Sequence, residues 1–204
     1  MSEELKLYGD PISGNCLKTK WTADYLGLNY EWIPLEILTG ATRTDEFLKI
    51  NPFGQVPTAV LPDGSVLTQS NAIAVNLAEA SGGELFGADD YERAQVFQWL
   101  FWEQNSHEPY IAGRRFRLAY KKQPETEIDV EWLPRGHAAL ERMEGVLTEN
   151  DFLVGNGLTL ADISLVAYTR VAGEGGFDLG KYPAIRAWIG RVEKTLDLQP
   201  IGDA

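Results

Sequence analysis

The sequence of 204 residues is poor in the side chains that most often form disulfides or bind metals, with one cysteine and two histidines. A lone Cys16 excludes a disulfide within the chain and a cysteine-based metal cluster. The histidines, His107 and His137, are isolated from one another, whereas a zinc site needs several ligands brought together. We therefore expect no disulfide and no bound metal.

Basic residues are also scarce, because 18 lysines and arginines stand against 30 aspartates and glutamates, for a net charge of −12. The acidic residues are spread along the chain rather than gathered in a tail. Such a surface favours solubility and repels phosphate backbones. We expect no nucleic acid partner.

Long apolar runs are absent as well, since no segment approaches ~20 apolar residues, the length that spans a membrane. The N-terminus carries two acids, Glu3 and Glu4, where a signal peptide would need a basic stretch and an apolar run. With 44% hydrophobic residues the composition is that of an ordinary globular protein. These features predict a cytoplasmic protein with no membrane contact.

The first part of the chain alternates between strand and helix patterns. Turn residues separate these segments, and Gly27 has the character of a helix C-terminal cap. The predicted order is βαβαββα, with strands over residues 5–8, 30–33, 58–61 and 66–67, and with helices ending at Gly27, spanning 45–50 and starting at Ser70. A small sheet flanked by helices is the packing expected for this order.

Helical patterns dominate after two adjacent glycines, Gly82 and Gly83, which interrupt the apolar periodicity. The predicted helices span residues 92–120, 130–148, 160–171 and 184–195. We therefore predict an α/β domain over residues 1–83 and an all-α domain over 89–204, joined by a linker between them.

Four motifs resemble those of cytosolic glutathione S-transferases, and the resemblance covers nearly the whole chain. The motifs are Ser-Gly-Asn-Cys at 13–16, Asn-Pro-Phe-Gly-Gln-Val-Pro at 51–57, Gln-Ser-Asn-Ala-Ile at 69–73, and Phe-Leu-Val-Gly at 152–155 followed by Thr-Leu-Ala-Asp at 159–162. The resemblance is to serine-type bacterial members, similar to the theta, zeta or nu classes. It implies a thioredoxin-like domain followed by a helical bundle, glutathione as co-substrate, and a homodimer.

The resemblance also implies binding roles in the first domain. The peptide bond before Pro57 would be cis, and Val56 would offer its backbone to the cysteinyl part of glutathione. Gln55 would contact the glycyl end, and Gln69 and Ser70 the γ-glutamyl end. The neutral amide of Gln69 should bind the ligand's ammonium less strongly than the glutamate that many relatives carry. Ser70 also has the character of a simple helix cap.

The activity implied is conjugation of the glutathione thiolate to an electrophilic, largely apolar substrate, as in detoxification. Ser13 stands where serine-type members stabilise the thiolate, although its local context also fits a plain helix cap. Asn15 lies in the same helical turn and is a further candidate donor. One alternative is a thiol–disulfide oxidoreductase working through Cys16, but Cys16, Thr19 and Ala23 share a helix face that favours burial. Another alternative is a noncatalytic binding module.

A dense group of aromatic residues between Phe97 and Phe116 predicts a wall of the second-substrate pocket. We place His107, Tyr110 and Arg114 in that pocket, with a core or subunit-interface role for the aromatics and a solvated face for the arginines as alternatives. By resemblance, Phe53 would insert between subunits, and Gln104 or Asn105 would reach the partner's glutathione. Thr159 and Asp162 predict a capping box.

Overall fold

The computed structural model describes residues 4–200 and divides the chain into two compact units, one ending at Glu84 and the other beginning at Leu85. Between residues 4 and 84 the first unit contains four strands and three α-helices. In chain order they are β1 (Leu5–Gly9), α1 (Gly14–Tyr25), β2 (Tyr30–Pro34), α2 (Asp45–Ile50), β3 (Thr58–Val60), β4 (Val66–Thr68) and α3 (Ser70–Ala80). This order is the predicted one.

The four strands form one mixed sheet in the order β2-β1-β3-β4. β1 pairs parallel with β2, while the pairs β1–β3 and β3–β4 are antiparallel. Helices α1 and α3 pack against each other. Their apolar faces and the inward side chains of the strands form the core, made of Leu5, Leu7, Ala23, Ala59, Ile73 and Leu77. This thioredoxin-like arrangement confirms the predicted fold class.

The second unit is helical. Its elements are α4 (Asp90–Trp102), α5 (Glu108–Arg115), α6 (Trp132–Leu147), α7 (Leu160–Thr169) and α8 (Pro183–Thr195). Two π-helical turns, Glu103–His107 and Phe116–Tyr120, extend α4 and α5 so that helical structure runs unbroken from Asp90 to Tyr120. The predicted single helix over 92–120 is therefore present, but it contains local changes of winding that its apolar pattern did not indicate. Within residues 4–200, no helix is long and apolar enough to cross a membrane.

Helix α6 starts two residues later than predicted, because Asp129 forms a turn of its own. Its carboxylate accepts from the Glu131 amide at 3.0 Å and its carbonyl from the Trp132 amide at 3.0 Å. Val130 is left outside the helix and 80% exposed. Backbone amides satisfied by such a turn mark where the helix can begin.

Helix α7 runs through the middle of the helical unit, and each of its residues from Leu160 to Thr169 is buried. The predicted capping box is present at its start, between Thr159 and Asp162. The Asp162 carboxylate also accepts from the Leu153 amide at 2.9 Å and from the Trp188 indole at 2.8 Å. One buried carboxylate therefore links the start of α7 to the preceding loop and to α8.

Candidate functional site

Strand register brings three of the predicted binding segments to one end of the sheet. Tyr8 near the end of β1 pairs with Thr58 at the start of β3, which in turn pairs with Thr68 at the end of β4. Because these pairs are antiparallel, the residues that follow β1, precede β3 and follow β4 lie side by side. These residues carry Ser13, the Val56–Pro57 bond and Ser70.

Ser13 is the N-cap residue of α1 and has extended backbone angles, with φ −82° and ψ 118°. Its side chain makes no hydrogen bond to the amides of the first helical turn. It is instead hydrogen-bonded to the Cys16 side chain. The plain-cap alternative for the Ser13 hydroxyl is therefore wrong, and the hydroxyl lies at the N-terminus of a twelve-residue helix.

Cys16 is fully buried beneath this hydroxyl. Burial raises the pKa of the thiol to about 11, although the hydrogen bond with Ser13 acts in the opposite direction. The nearby Asp10 carboxylate also raises the pKa, and Lys18 lowers it. A buried neutral thiol is a poor nucleophile, so the structure does not favour an oxidoreductase that works through Cys16.

Asn15 joins the N-termini of α1 and α3. Its side-chain oxygen accepts a hydrogen bond from Ser70 Oγ at 2.9 Å and another from Lys18 Nζ at 2.8 Å. Ser70 is 5% exposed and the Lys18 side chain is fully buried. Two residues predicted to bind glutathione, Asn15 and Ser70, are therefore in direct contact although 55 positions separate them in the chain.

The Val56–Pro57 peptide bond is cis, as the resemblance implied. Asn51 braces this loop from inside the unit, being 1% exposed. Its side-chain amide donates to the Gln55 carbonyl at 2.9 Å and to Thr58 Oγ1 at 3.0 Å, and its oxygen accepts from the Phe53 amide at 3.1 Å. The loop geometry is therefore held by a side chain that does not itself face the surface.

The two glutamines differ in backbone conformation. Gln55 and Gln69 are both exposed, but Gln69 has φ 71°, in the left-handed region that residues other than glycine rarely adopt. Strained residues of this kind concentrate at binding sites. Gln69 directly precedes α3 and Ser70 is its first residue, so both lie at the helix N-terminus.

The residues predicted for a second-substrate pocket do not share one surface. His107 is fully buried and hydrogen-bonded to Thr169 at 2.9 Å. Arg114 is 2% exposed, and its guanidinium donates to the Gly175 carbonyl at 2.9 Å and pairs with Glu125. Tyr110 is half-buried and accepts from Arg135. A side chain without exposed surface cannot contact a substrate, so the structure does not favour this role for His107 or Arg114.

Sequence reasoning missed Lys18 and Asn51, which support the site from within. A lysine in a helix is ordinarily a solvated residue, so no local signal predicted the burial of Lys18. For Asn51 a signal existed, because an asparagine before Pro-Phe-Gly is typical of a turn closed by its side chain.

The comparisons with known proteins agree with this geometry. Residues 12–80 match the N-terminal domain of the glutathione S-transferases, and residues 106–195 match their C-terminal domain. A probable glutathione S-transferase GSTF2 of Oryza sativa subsp. japonica is 32% identical over 193 residues, covering 90% of this chain and 89% of the relative. The chain therefore belongs to the glutathione S-transferase family.

Solved structures of the same family have the same fold. A glutathione S-transferase from Pseudomonas fluorescens is 45% identical and has a TM-score of 0.89, covering 98% of this chain and 100% of its own. A glutathione S-transferase-I bound with lactoylglutathione is 26% identical and has a TM-score of 0.82, covering 96% of this chain and 97% of its own.

Proposed function

We propose that this protein binds glutathione and transfers its thiolate to an electrophilic, largely apolar substrate. The observation that carries the proposal is the convergence of Ser13, the cis Val56–Pro57 bond and Ser70 at one end of the sheet. Family membership supports it, as does the lactoylglutathione bound in a related structure. The domain ending near residue 83 would hold glutathione, and the helical domain from 89 onward would shape the second-substrate site.

In this proposal the Ser13 hydroxyl donates its hydrogen to the glutathione sulfur. A thiolate is the reactive form, and near neutral pH a free thiol is mostly protonated. Because Cys16 stays neutral, its thiol can act as a donor as well as an acceptor toward Ser13. The Ser13 hydrogen can then turn to the ligand, and the positive end of the α1 dipole adds to the stabilisation.

The remaining contacts orient the tripeptide. The Val56 backbone pairs with the cysteinyl part, Gln55 with the glycyl end, and Gln69 and Ser70 with the γ-glutamyl end at the N-terminus of α3. Asn15 contributes through its contact with Ser70. No metal takes part in this scheme.

We also propose a cytoplasmic homodimer. Phe53 is 72% exposed in the loop before β3, which supports its insertion between subunits. Sedimentation equilibrium tests this point, since Phe53→Ser should weaken dimerisation while an exposed position in the hairpin turn, changed as Ser65→Ala, should not. Equal association of both variants would remove Phe53 from the interface.

The test of the activity is the ultraviolet difference spectrum of bound glutathione against pH, together with the rate of conjugation to a panel of electrophiles. Ser13→Ala should move the thiolate band to higher pH and lower the rate about tenfold or more, because a hydrogen bond to an anion is lost. Ser65→Ala is the matched control. Tight binding without a thiolate band in the unaltered protein would indicate a binding module instead. A full rate in Ser13→Ala would remove Ser13 from the mechanism.

A further inference from the structure

Lys18 is a basic residue in the interior of the first unit, next to Asn15 of the proposed glutathione site. Its side chain is fully buried, and Nζ donates to Asn15 Oδ1 at 2.8 Å. A lysine ammonium has donors only, so it requires the oxygen of the Asn15 carboxamide to face it. The orientation of Asn15 is thereby set from inside the unit.

Asn15 Oδ1 also accepts a hydrogen bond from Ser70 Oγ, at 2.9 Å. A serine hydroxyl has one hydrogen, and here that hydrogen points to Asn15. A carboxylate has acceptors only, so it can bind Ser70 only after the hydrogen turns away from Asn15. In the proposed site the incoming carboxylate is that of the γ-glutamyl group.

Lys18 makes this transfer favourable. When Ser70 turns its hydrogen toward the ligand, Asn15 Oδ1 keeps the hydrogen bond from Lys18, so this partly buried acceptor retains a donor. With Lys18 replaced by an apolar residue, Asn15 Oδ1 loses one donor, so turning the hydrogen of Ser70 away from it toward the ligand becomes more costly. Removing a donor from a partly buried acceptor is unfavourable.

We propose that Lys18 is a positioning residue, which orients Asn15 and lets Ser70 give its hydroxyl hydrogen to the γ-glutamyl carboxylate of glutathione. The inference rests on the proposed function. Lys18 would then contribute to specificity without touching the ligand. A ligand that lacks the γ-glutamyl carboxylate does not accept the hydrogen of Ser70, so its binding would not depend on Lys18.

The experiment is calorimetric titration with two ligands, glutathione and its γ-aminobutyryl analogue, which keeps the amino group and lacks the carboxylate. Lys18→Met should weaken glutathione binding about tenfold, because an acceptor loses its second donor when Ser70 turns. Binding of the analogue should change less than about twofold, within the range of sites that do not interact. The matched control is Lys20→Met on the same helix, whose amine bonds to Asp24 and Tyr30 near the surface.

A second arm places Lys18→Met in a Ser70→Ala background. Without the hydroxyl there is no hydrogen to transfer, so Lys18→Met should then change glutathione affinity less than about twofold. Two results would overturn the inference and indicate a purely structural role for Lys18. One is an equal loss of affinity for glutathione and for the analogue in Lys18→Met. The other is a loss of glutathione affinity that is just as large in the Ser70→Ala background.

The unaltered protein provides a check that needs no variant, because it should prefer glutathione over the analogue. Equal binding of the two would overturn the inference even if Lys18→Met failed to fold. Failure of the proposed function has a different signature, namely that the unaltered protein binds neither ligand.

Discussion

The Ser13 hydroxyl and the buried Cys16 thiol are hydrogen-bonded to each other at the N-terminus of α1. The Ser13 hydroxyl therefore lies between the buried sulfur of Cys16 and the position that we propose for the sulfur of the ligand. Cys16 lies in the interior, where desolvation disfavours the thiolate, whereas Ser13 is only partly buried. A ligand sulfur that meets Ser13 from outside would receive a hydroxyl donor without sharing the desolvation that keeps Cys16 neutral.

The burial of Cys16 predicts a pH-dependent stability. Its folded pKa is about 11 against an ordinary value of 9.0, so below pH 9 the thiol is neutral in both states and this stabilisation is fully present. As pH rises toward 11 the unfolded state ionises first, and the stabilisation is lost. The loss should be about 2 kcal/mol.

Urea unfolding of the unaltered protein and of Cys16→Ala, below pH 9 and near pH 11, measures this loss. Lysines and tyrosines titrate in the same range, but they do so in both proteins, so the difference between the two curves isolates Cys16. A difference that does not change with pH would mean that the thiol is not desolvated.

Introducing a negative charge at each of the two exposed glutamines should change glutathione binding in opposite directions. Gln69→Glu places an anion beside the γ-glutamyl ammonium and should tighten glutathione binding about fivefold, because charge-assisted hydrogen bonds are stronger. Gln55→Glu places an anion beside the glycyl carboxylate and should weaken binding. Calorimetric dissociation constants test both. A tighter Gln55→Glu variant and a weaker Gln69→Glu variant would mean that the tripeptide runs the other way.

Asn51→Ala should destabilise the first unit and weaken glutathione binding together. The substitution removes the three side-chain hydrogen bonds to Phe53, Gln55 and Thr58 and leaves buried groups with lost partners. We expect a loss of about 2–4 kcal/mol in the free energy of unfolding. Asn150→Ala, an exposed asparagine that donates to the Val146 carbonyl, is the control and should change stability by less than about 1 kcal/mol. Similar effects of the two substitutions would contradict the bracing role of Asn51.

Asp162→Asn should destabilise the helical unit by about 3 kcal/mol, because a side-chain NH2 group would face the donors that the carboxylate now accepts. Those donors include the Trp188 indole, at 2.8 Å. Urea unfolding followed by tryptophan fluorescence is the measurement. Asp151→Asn, at an exposed position, is the control. If both variants unfold at the same urea concentration, Asp162 is not the link between α7, α8 and the preceding loop.

The local patterns were sufficient for the elements of the first unit and for one face of α1. Cys16, Thr19 and Ala23 share a helix face, and all three are buried. The capping box at Thr159 and Asp162 is equally local, since its partners are three residues apart. The prediction failed where an element's end depends on side chains around it, as at Asp129 before α6.

Local patterns were not sufficient for the residues predicted to line the second-substrate pocket. His107 and Arg114 belong to a polar, aromatic-rich segment that could equally have lined a pocket or filled an interior. Packing against α7 and the turn at Gly175 buried them, and those partners lie 62 and 61 positions further along the chain. Hydropathy did not indicate this, because charged side chains become buried only where distant partners satisfy them.

By itself the sequence determined the alternation of strands and helices, the change to helices after Gly83, and the motifs around Ser13, Pro57 and Ser70. These are short-range properties, because periodicity and turn chemistry act over a few residues. Only the tertiary structure decided that Ser70 shares its hydrogen with Asn15 and that Lys18 lies buried behind them. The physical reason is that a hydrogen-bond partner or a buried charge is selected by long-range packing, which brings together residues that no local pattern connects.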